Sequence, residues 1–113
     1  MIIGIPKESL RSERRVACSP SSVKQFISLG FDVQIQKGAG ENASFTDEAY
    51  QDAGASIVTK KKCLESEIVL KVNAPTDAEL DHMTDGAFLV SFIAPAQNES
   101  LLNRLKEKSI TTL

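Results

Sequence analysis

The chain has 113 residues, which is enough for one compact domain with a single core. Its formal net charge of −2 excludes a strongly basic surface for nucleic acid or for an anionic membrane. Two cysteines and one histidine exclude a disulfide framework and a histidine-rich metal site, and they indicate a reducing, cytosolic environment.

Short apolar runs alternate with amphipathic segments along the whole chain. Strands are predicted where such runs end at proline, glycine or charged residues, namely at residues 2–5, 31–36, 55–58, 67–72, 86–92 and 110–113. Helices are predicted between them, at residues 19–30, 46–54, 60–66, 76–83 and 98–109. Strands that are joined by helices through short connections predict a three-layer α/β fold with a parallel sheet.

Capping residues mark the starts of several predicted helices. Ser19 and Thr46 are each placed to cap the helix that follows them. Thr76, with Glu79 three residues later, forms a capping box. Asn98 is placed to cap the last helix. These local signals support the helix boundaries independently of hydrophobic periodicity.

The loop "GAGENA", residues 38–43, matches the loose dinucleotide-binding pattern G-x-G-x-x-G/A. The helix that follows is only about two turns long, which is short for that unit. The acidic residue expected roughly 20 residues further on, to bind the ribose, is missing, and the region reads "TKKK". We therefore interpret the segment as a strand-to-helix loop that needs glycine geometry.

Polar side chains follow three of the predicted strands. Lys71 ends one strand, Arg15 follows the first strand by a loop, and Gln97 follows another strand. Because the carboxyl ends of parallel strands meet at one edge, these groups are candidates for binding a carboxylate, a carboxamide or a phosphate there. The alternative is that the two cations form salt bridges with Glu8 or Glu13, or face solvent.

Other reactive side chains carry weaker signals. His82 lies near a predicted helix end, which is typical of a surface histidine. Cys18 has no histidine partner nearby, so a nucleophilic role is not expected. The lysines at 60–62 are expected in a solvated turn. No catalytic residue and no metal site are predicted.

Four segments together resemble a known family: "MIIGIPKES…ERRVACSP", "GFDVQIQKGAGENASFTDEAYQDAGA", "SEIVLKVNAP" and "LVSFIAPAQN". They are similar to the N-terminal domain shared by alanine dehydrogenase and the alpha subunit of proton-translocating nicotinamide nucleotide transhydrogenase. The resemblance runs from residue 1 to residue 113, and "LKVNAP" and "PAQN" are especially similar to the transhydrogenase branch. It implies a flavodoxin-like or Rossmann-like parallel sheet in a truncated domain, with the NAD-binding Rossmann domain beyond residue 113.

The resemblance also implies roles for the candidate residues. In alanine dehydrogenases an arginine and a lysine, matched here by Arg15 and Lys71, hold the substrate carboxyl group, and a histidine on the following strand end acts in acid–base chemistry. In this sequence Ala94 stands at the histidine position, which disfavours oxidative deamination. A transhydrogenase lacks that histidine because it needs only direct hydride transfer. Arg15, Lys71 and Gln97 are expected to face the cleft on the same side of the sheet as cofactor-binding residues, with Lys71 facing the nicotinamide end of NAD(H).

The implied function is that of the N-terminal part of the NAD(H)-binding component of a transhydrogenase. NAD(H) and NADP(H) are the cofactors of the full enzyme, and tight binding by this chain alone is not expected. The implied partners are the remainder of the alpha subunit, the beta subunit and a second NAD-binding component in a homodimer, at the cytoplasmic face of a bacterial inner membrane. No nucleic acid partner is expected, and no apolar run in the chain is long enough to span a membrane. The alternatives are an alanine dehydrogenase-like amino-acid oxidoreductase and a stand-alone, non-catalytic module of the same fold.

Overall fold

The computed structural model describes residues 1–10, 13–91 and 99–112. Six strands form one sheet: β1 (Ile2–Ile5), β2 (Asp32–Gln36), β3 (Ser56–Val58), β4 (Ile68–Lys71), β5 (Phe88–Ser91) and β6 (Thr111–Thr112). Between them the described residues form the helices α1 (Pro20–Ser28), α2 (Asp47–Asp52), α3 (Lys60–Leu64), α4 (Asp77–His82) and α5 (Glu99–Glu107). A short 3₁₀ turn covers Glu41–Ala43.

The strand order is β3-β2-β1-β4-β5-β6, and every neighbouring pair is parallel. The predicted three-layer α/β architecture is therefore confirmed. Of the two fold types that the resemblance implies, this order is that of the Rossmann fold. The direction in which successive strands are added reverses between β1 and β4, and this point is the topological switch of the sheet.

The helices begin where the capping signals predict. Ser19 and Thr46 each accept a hydrogen bond from the backbone N–H three residues later, at 3.2 and 3.1 Å. Thr76 and Glu79 form both hydrogen bonds of the predicted capping box. Asn98, the predicted cap of α5, lies outside the described residues. The hydrogen bonds at these three helix starts therefore join residues that are close in the sequence.

Side chains alternate along each strand, so the sheet has one buried cluster on each face. On one face α1 and α2 pack on the first three strands, through Val23, Tyr50, Ile3, Ile5, Val33 and Ile35. On the opposite face α3 packs on β1 and β2, and α4 and α5 pack on β4 and β5. The buried residues on this face include Leu64, Leu80, Leu101, Leu105, Val69 and Leu89. Helices thus cover both faces of the sheet, as in doubly wound folds.

The first face is covered less fully where it continues onto β4 and β5. Ile68 and Val90 are half-buried there, and Phe88 is 37% exposed. A cavity of about 460 Å³ opens beside Ile68 and Val90, against Phe26 of α1. Apolar side chains on this part of the sheet therefore stay partly in contact with water.

Gly4 allows α3 to cross close beneath β1. A Cβ atom at this position would collide with the carbonyl oxygen of Cys63 and would lie 2.5 Å from Ser66 Oγ. Since α3 connects the two halves of the sheet, the absence of a side chain at Gly4 determines how closely this crossover packs.

Candidate functional site

The candidate site lies at the carboxyl edge of the sheet, where β1 and β4 are neighbours. In open α/β sheets ligands bind beyond the strands at such a switch point, because the loops on its two sides diverge and leave a crevice. β4 ends at Lys71. The structure therefore places this predicted site residue at the rim of the crevice.

Lys71 is buried among charged groups of the protein itself. Only 1% of its side chain is exposed, and its Nζ lies 3.3 Å from Glu8 Oε1 and 3.4 Å from Glu79 Oε2. Both carboxylates are equally buried. These distances are long for a charge-assisted hydrogen bond, which ordinarily measures about 2.7–2.9 Å. The Lys71 ammonium group therefore lies between the two carboxylates without a short hydrogen bond to either of them.

Glu8 ties the segment after β1 to the exit of β4. Its Oε2 accepts a hydrogen bond from the backbone N–H of Val72 at 3.0 Å, and its Oε1 accepts one from the backbone N–H of Asn73 at 3.0 Å. The side-chain amide of Asn73 donates a longer bond to Oε1, at 3.4 Å. Together with Lys71, these groups surround the Glu8 carboxylate with N–H donors.

Glu79 connects the cluster to the first turn of α4. Its Oε1 accepts from the backbone N–H of Thr76 at 2.9 Å, while Oε2 lies 3.3 Å from Lys60 Nζ and accepts from the Ser9 hydroxyl at 3.2 Å. Burial on its own would raise the pKa of Glu79, but the Thr76 N–H and the ammonium groups of Lys71 and Lys60 together lower it below 4.5. Glu79 is thus kept anionic inside the fold.

Arg15 is connected to Lys71 at the same edge through three intermediate side chains. Its Nε and Nη2 donate to the Glu13 carboxylate at 2.9 and 2.8 Å, and Glu13 Oε1 also accepts from Asn73 Nδ2 at 2.9 Å. The hydrogen bonds from Arg15 lower the pKa of Glu13 to about 2. The Arg15 side chain itself is 66% exposed. A continuous polar chain therefore runs from Arg15 through Glu13, Asn73 and Glu8 to Lys71.

The two predicted cations, Arg15 and Lys71, thus share one edge of the sheet. Each forms a salt bridge with a carboxylate of the chain, as the alternative interpretation of the sequence proposes. Gln97, the third predicted site residue, and Ala94 lie within residues 92–98, outside the described residues. Lys60 corrects the expectation of a fully solvated turn, since it is 40% exposed and bound to Glu79. Its neighbours Lys61 and Lys62 are exposed.

A pocket of about 260 Å³ opens beside the cluster and is lined by Ser9, Leu10, Lys71, Asn73, Ala74, Thr76 and Glu79. The formal charges of Lys71 and Lys60 balance those of Glu8 and Glu79. The described groups around the pocket therefore offer hydrogen-bond donors and acceptors and little net charge. A small group that both donates and accepts hydrogen bonds, such as an amide, fits this chemistry.

The glycines of the "GAGENA" loop are explained by local geometry. Gly38 has a φ of +77°, and its N–H donates to Asp47 Oδ1 at 2.9 Å. A Cβ atom on Gly40 would lie 2.6 Å from Tyr50 Cε2. The Asp47 carboxylate thus accepts the hydrogen bond of a backbone N–H group that a phosphate would need. The interpretation as a strand-to-helix loop agrees with the structure.

The remaining reactive groups stay outside the site. His82 is exposed at the end of α4, as predicted. Cys18 and Cys63 are buried, and burial raises the pKa of their thiols to about 11 and about 12, which disfavours a thiolate nucleophile. In the part of the chain that the structure describes, no group of three or more metal-ligating side chains is found. No helix among the described residues is long and apolar enough to cross a membrane.

Comparison with known proteins identifies relatives over the full length of the chain. The family model "Alanine dehydrogenase/PNT, N-terminal domain" matches residues 4–113. NAD(P) transhydrogenase subunit alpha from Haemophilus influenzae is 49% identical over 113 residues, which are 100% of this chain and 22% of that protein. Alanine dehydrogenase from Bacillus subtilis is 39% identical over 114 residues, covering 100% of this chain and 30% of that protein.

A solved structure also matches the fold of this chain. The crystal structure of transhydrogenase from Sinorhizobium meliloti superposes with a TM-score of 0.94 at 36% identity, covering 99% of this chain and 34% of that chain. The chain therefore spans between 22% and 34% of the length of these three proteins.

Proposed function

The chain belongs to the alanine dehydrogenase/PNT N-terminal domain family, and from this premise we propose that it is the N-terminal part of the NAD(H)-binding component of a proton-translocating NAD(P) transhydrogenase. The observation that carries the proposal is the polar chain from Arg15 to Lys71 at the topological switch, where ligands of such sheets bind. Ala94, at the position where the resemblance places the histidine of alanine dehydrogenases, favours the transhydrogenase branch.

The pocket beside Lys71 suits the nicotinamide end of a dinucleotide and is too small for the whole molecule. Its volume of about 260 Å³ lies below the range of about 300–1,000 Å³ that is typical of pockets enclosing a drug-sized ligand. Lys71 would donate to the carboxamide oxygen, and the Thr76 hydroxyl or the Glu79 carboxylate would accept from the carboxamide nitrogen. The remainder of the dinucleotide would extend out of the pocket, toward the Rossmann domain that we place beyond residue 113.

The bound nucleotides supply the hydride and its acceptor, as NADH and NADP⁺ become NAD⁺ and NADPH. The residues of this chain then have three tasks: to bind the ring, to fix its orientation and to exclude water. None of these tasks needs a proton carrier, which is consistent with the pairing of Lys71, Glu8 and Glu79 among themselves. Transfer in the full enzyme would be coupled to proton movement across the membrane.

The proposed assembly extends beyond this chain. It comprises the remainder of the alpha subunit, the beta subunit, and a second NAD-binding component in a homodimer. The NAD(H)-binding part would lie at the cytoplasmic face of a bacterial inner membrane. We propose that this chain forms one wall of the cleft and does not bind NADH tightly on its own.

The direct test is hydride transfer from NADH to an NADP⁺ analogue by the full-length protein with its beta partner. Lys71→Met removes the ammonium group and keeps a side chain of similar length, so turnover is expected to fall by about 10- to 100-fold through loss of ring orientation. Lys61 is an exposed lysine of α3, so Lys61→Met is the matched control. Its turnover is expected to equal that of the wild type. Unchanged turnover together with unchanged NADH affinity in Lys71→Met would contradict the proposal.

Amino-acid oxidation is the second candidate, because the Bacillus subtilis relative is an alanine dehydrogenase. The discriminating assay follows NADH formation from NAD⁺ and L-alanine by the same full-length protein. We expect no alanine-dependent NADH formation, since Ala94 cannot carry a proton. Alanine-dependent turnover that Lys71→Met abolishes would instead favour the dehydrogenase.

A further inference from the structure

β1 and β4 separate before they reach the carboxyl edge. Their register pairs Ile3 with Ile68 and Gly4 with Val69. Among the described residues no β1–β4 pair follows Gly4 and Val69, although β1 continues to Ile5 and β4 to Lys71. The backbone N–H groups of Val72 and Asn73 lie beyond the end of this ladder, at the exit of β4.

The Glu8 carboxylate spans this gap. Its two oxygens accept from the N–H groups of Val72 and Asn73 at 3.0 Å each, in place of main-chain carbonyls. The same carboxylate approaches Lys71 Nζ at 3.3 Å, and only 2% of the Glu8 side chain is exposed. One side chain therefore sets both the path of the backbone at the exit of β4 and the direction of the Lys71 ammonium group.

We propose that Glu8 is a positioning residue, which holds Lys71 and the Val72–Asn73 backbone in place on the floor of the nucleotide pocket. This inference rests on the proposed function of the pocket. Since four N–H donors of Lys71, Val72 and Asn73 surround its oxygens, Glu8 acts through these neighbours and not on the ligand itself. The side-chain amide of Asn73 donates to both Glu8 and Glu13. Through this amide, Glu8 also helps to position the Arg15–Glu13 pair.

The test uses the full-length protein with its beta partner. Glu8→Gln keeps the size of the side chain but replaces one acceptor oxygen with an NH₂ group, which cannot accept from Val72 or Asn73. We expect kcat for hydride transfer to fall by about 10- to 100-fold, with KM for NADH changed less than kcat. Hydrogen exchange at Val72 and Asn73 is expected to accelerate while the rest of the sheet keeps its protection.

Glu67→Gln is the matched control. Glu67 Oε1 also accepts a backbone N–H across the sheet, from Ile2 at 3.1 Å, but at the amino edge and in an exposed position. This variant is expected to keep the kcat of the wild type. A Glu8→Gln enzyme with the same kcat as Glu67→Gln would overturn the inference.

Lys71→Met separates failure of this inference from failure of the proposed function. If Lys71→Met slows hydride transfer and Glu8→Gln does not, the positioning role is wrong and the proposed function stands. If neither substitution slows it, both are wrong. Should Glu8→Gln fold poorly, Glu8→Asp keeps the carboxylate but shortens its reach to Val72 and Asn73. A kcat below that of Glu67→Gln, with KM for NADH changed less than kcat, supports the positioning role, and a kcat equal to that of Glu67→Gln contradicts it.

Discussion

The short helix α4 contributes carboxylates to two charge clusters in opposite environments. On its inner side Glu79 and the more distant Glu8 meet Lys71, and the three side chains are between 1% and 2% exposed. On its outer side Asp77 and Asp81 meet Arg104 of α5. There the aspartates are 82% and 65% exposed, and the arginine is 30% exposed. The outer cluster contains one cation and two carboxylates, whereas the inner cluster has a second, partly exposed cation in Lys60.

Because the two clusters differ in burial, their ion pairs are expected to differ in their effect on stability. Exposed ion pairs add little to stability, because water and salt screen them and ordering long side chains opposes them. A buried ion pair is costly to desolvate, and well-packed apolar residues in its place often give equal or greater stability. The Lys71 cluster is therefore not explained by stability alone, whereas the Arg104 cluster needs no explanation beyond a solvated surface. This contrast supports a binding role for the inner cluster.

The largest expected effect comes from breaking the inner cluster on one side. Lys71→Met leaves the buried Glu8 carboxylate without its cation, and removing one partner of a buried pair typically costs about 3–5 kcal/mol of unfolding free energy. Urea denaturation measures this loss. The double variant Lys71→Met/Glu8→Gln removes both charges and is expected to recover part of it; equal losses for the two variants would show that the uncompensated charge is not the cause.

Acid is expected to weaken the same edge through Glu13 and Glu79. Each has a pKa below 4.5 in the folded chain, so the unfolded chain binds more protons and stability rises with pH. Their contribution is complete above pH 4.5 and is lost as the pH falls through the folded values, which for Glu13 is about 2. Urea midpoints measured between pH 6 and pH 2 should decline less steeply in Glu13→Gln than in the wild type. A parallel decline in both proteins would rule out Glu13 as a source of the acid sensitivity.

A smaller effect is expected from the capping box that orients α4 between the two clusters. Thr76→Ala removes the hydroxyl that accepts from the Glu79 N–H at 3.2 Å, and loss of such a cap typically costs about 1 kcal/mol. Thr76→Ser retains a hydroxyl and serves as the matched control in thermal unfolding. If the alanine and serine variants unfold at the same temperature, the cap does not contribute as described.

The smallest effect is expected at the outer cluster. Arg104→Met removes both contacts with Asp77 and Asp81, yet all three groups are exposed enough for water to replace those contacts. The urea midpoint should shift only slightly at low salt and not at all at high salt. A loss as large as that of Lys71→Met would remove the distinction between the clusters.

Much of the fold is predictable from the sequence because its signals are local. Periodicity and caps such as Ser19 and Thr46 act within a few residues, and alternation of strands and helices indicates parallel pairing. The pairing of Glu79 with Lys71 and Lys60 is different, because it depends on where the α3 crossover brings Lys60 in space. The capping box is already a sufficient reason for a glutamate at position 79. The sequence therefore gives no separate signal that Glu79 also pairs with the two lysines. Glu8 could be named only as one of two possible carboxylate partners, with Glu13 as the other.

The measurement that tests the site most directly is an NMR titration of the isotopically labelled chain with NADH up to millimolar concentrations. Weak binding at the switch point predicts shifts of the Val72, Asn73 and Thr76 amide signals, with the Arg104 Nε signal unchanged as an internal reference on the other side of α4. Lys71→Met should remove those shifts. Shifts centred instead on Gly38 and Gly40, or no shift at Val72 and Asn73, would contradict a nucleotide site at Lys71.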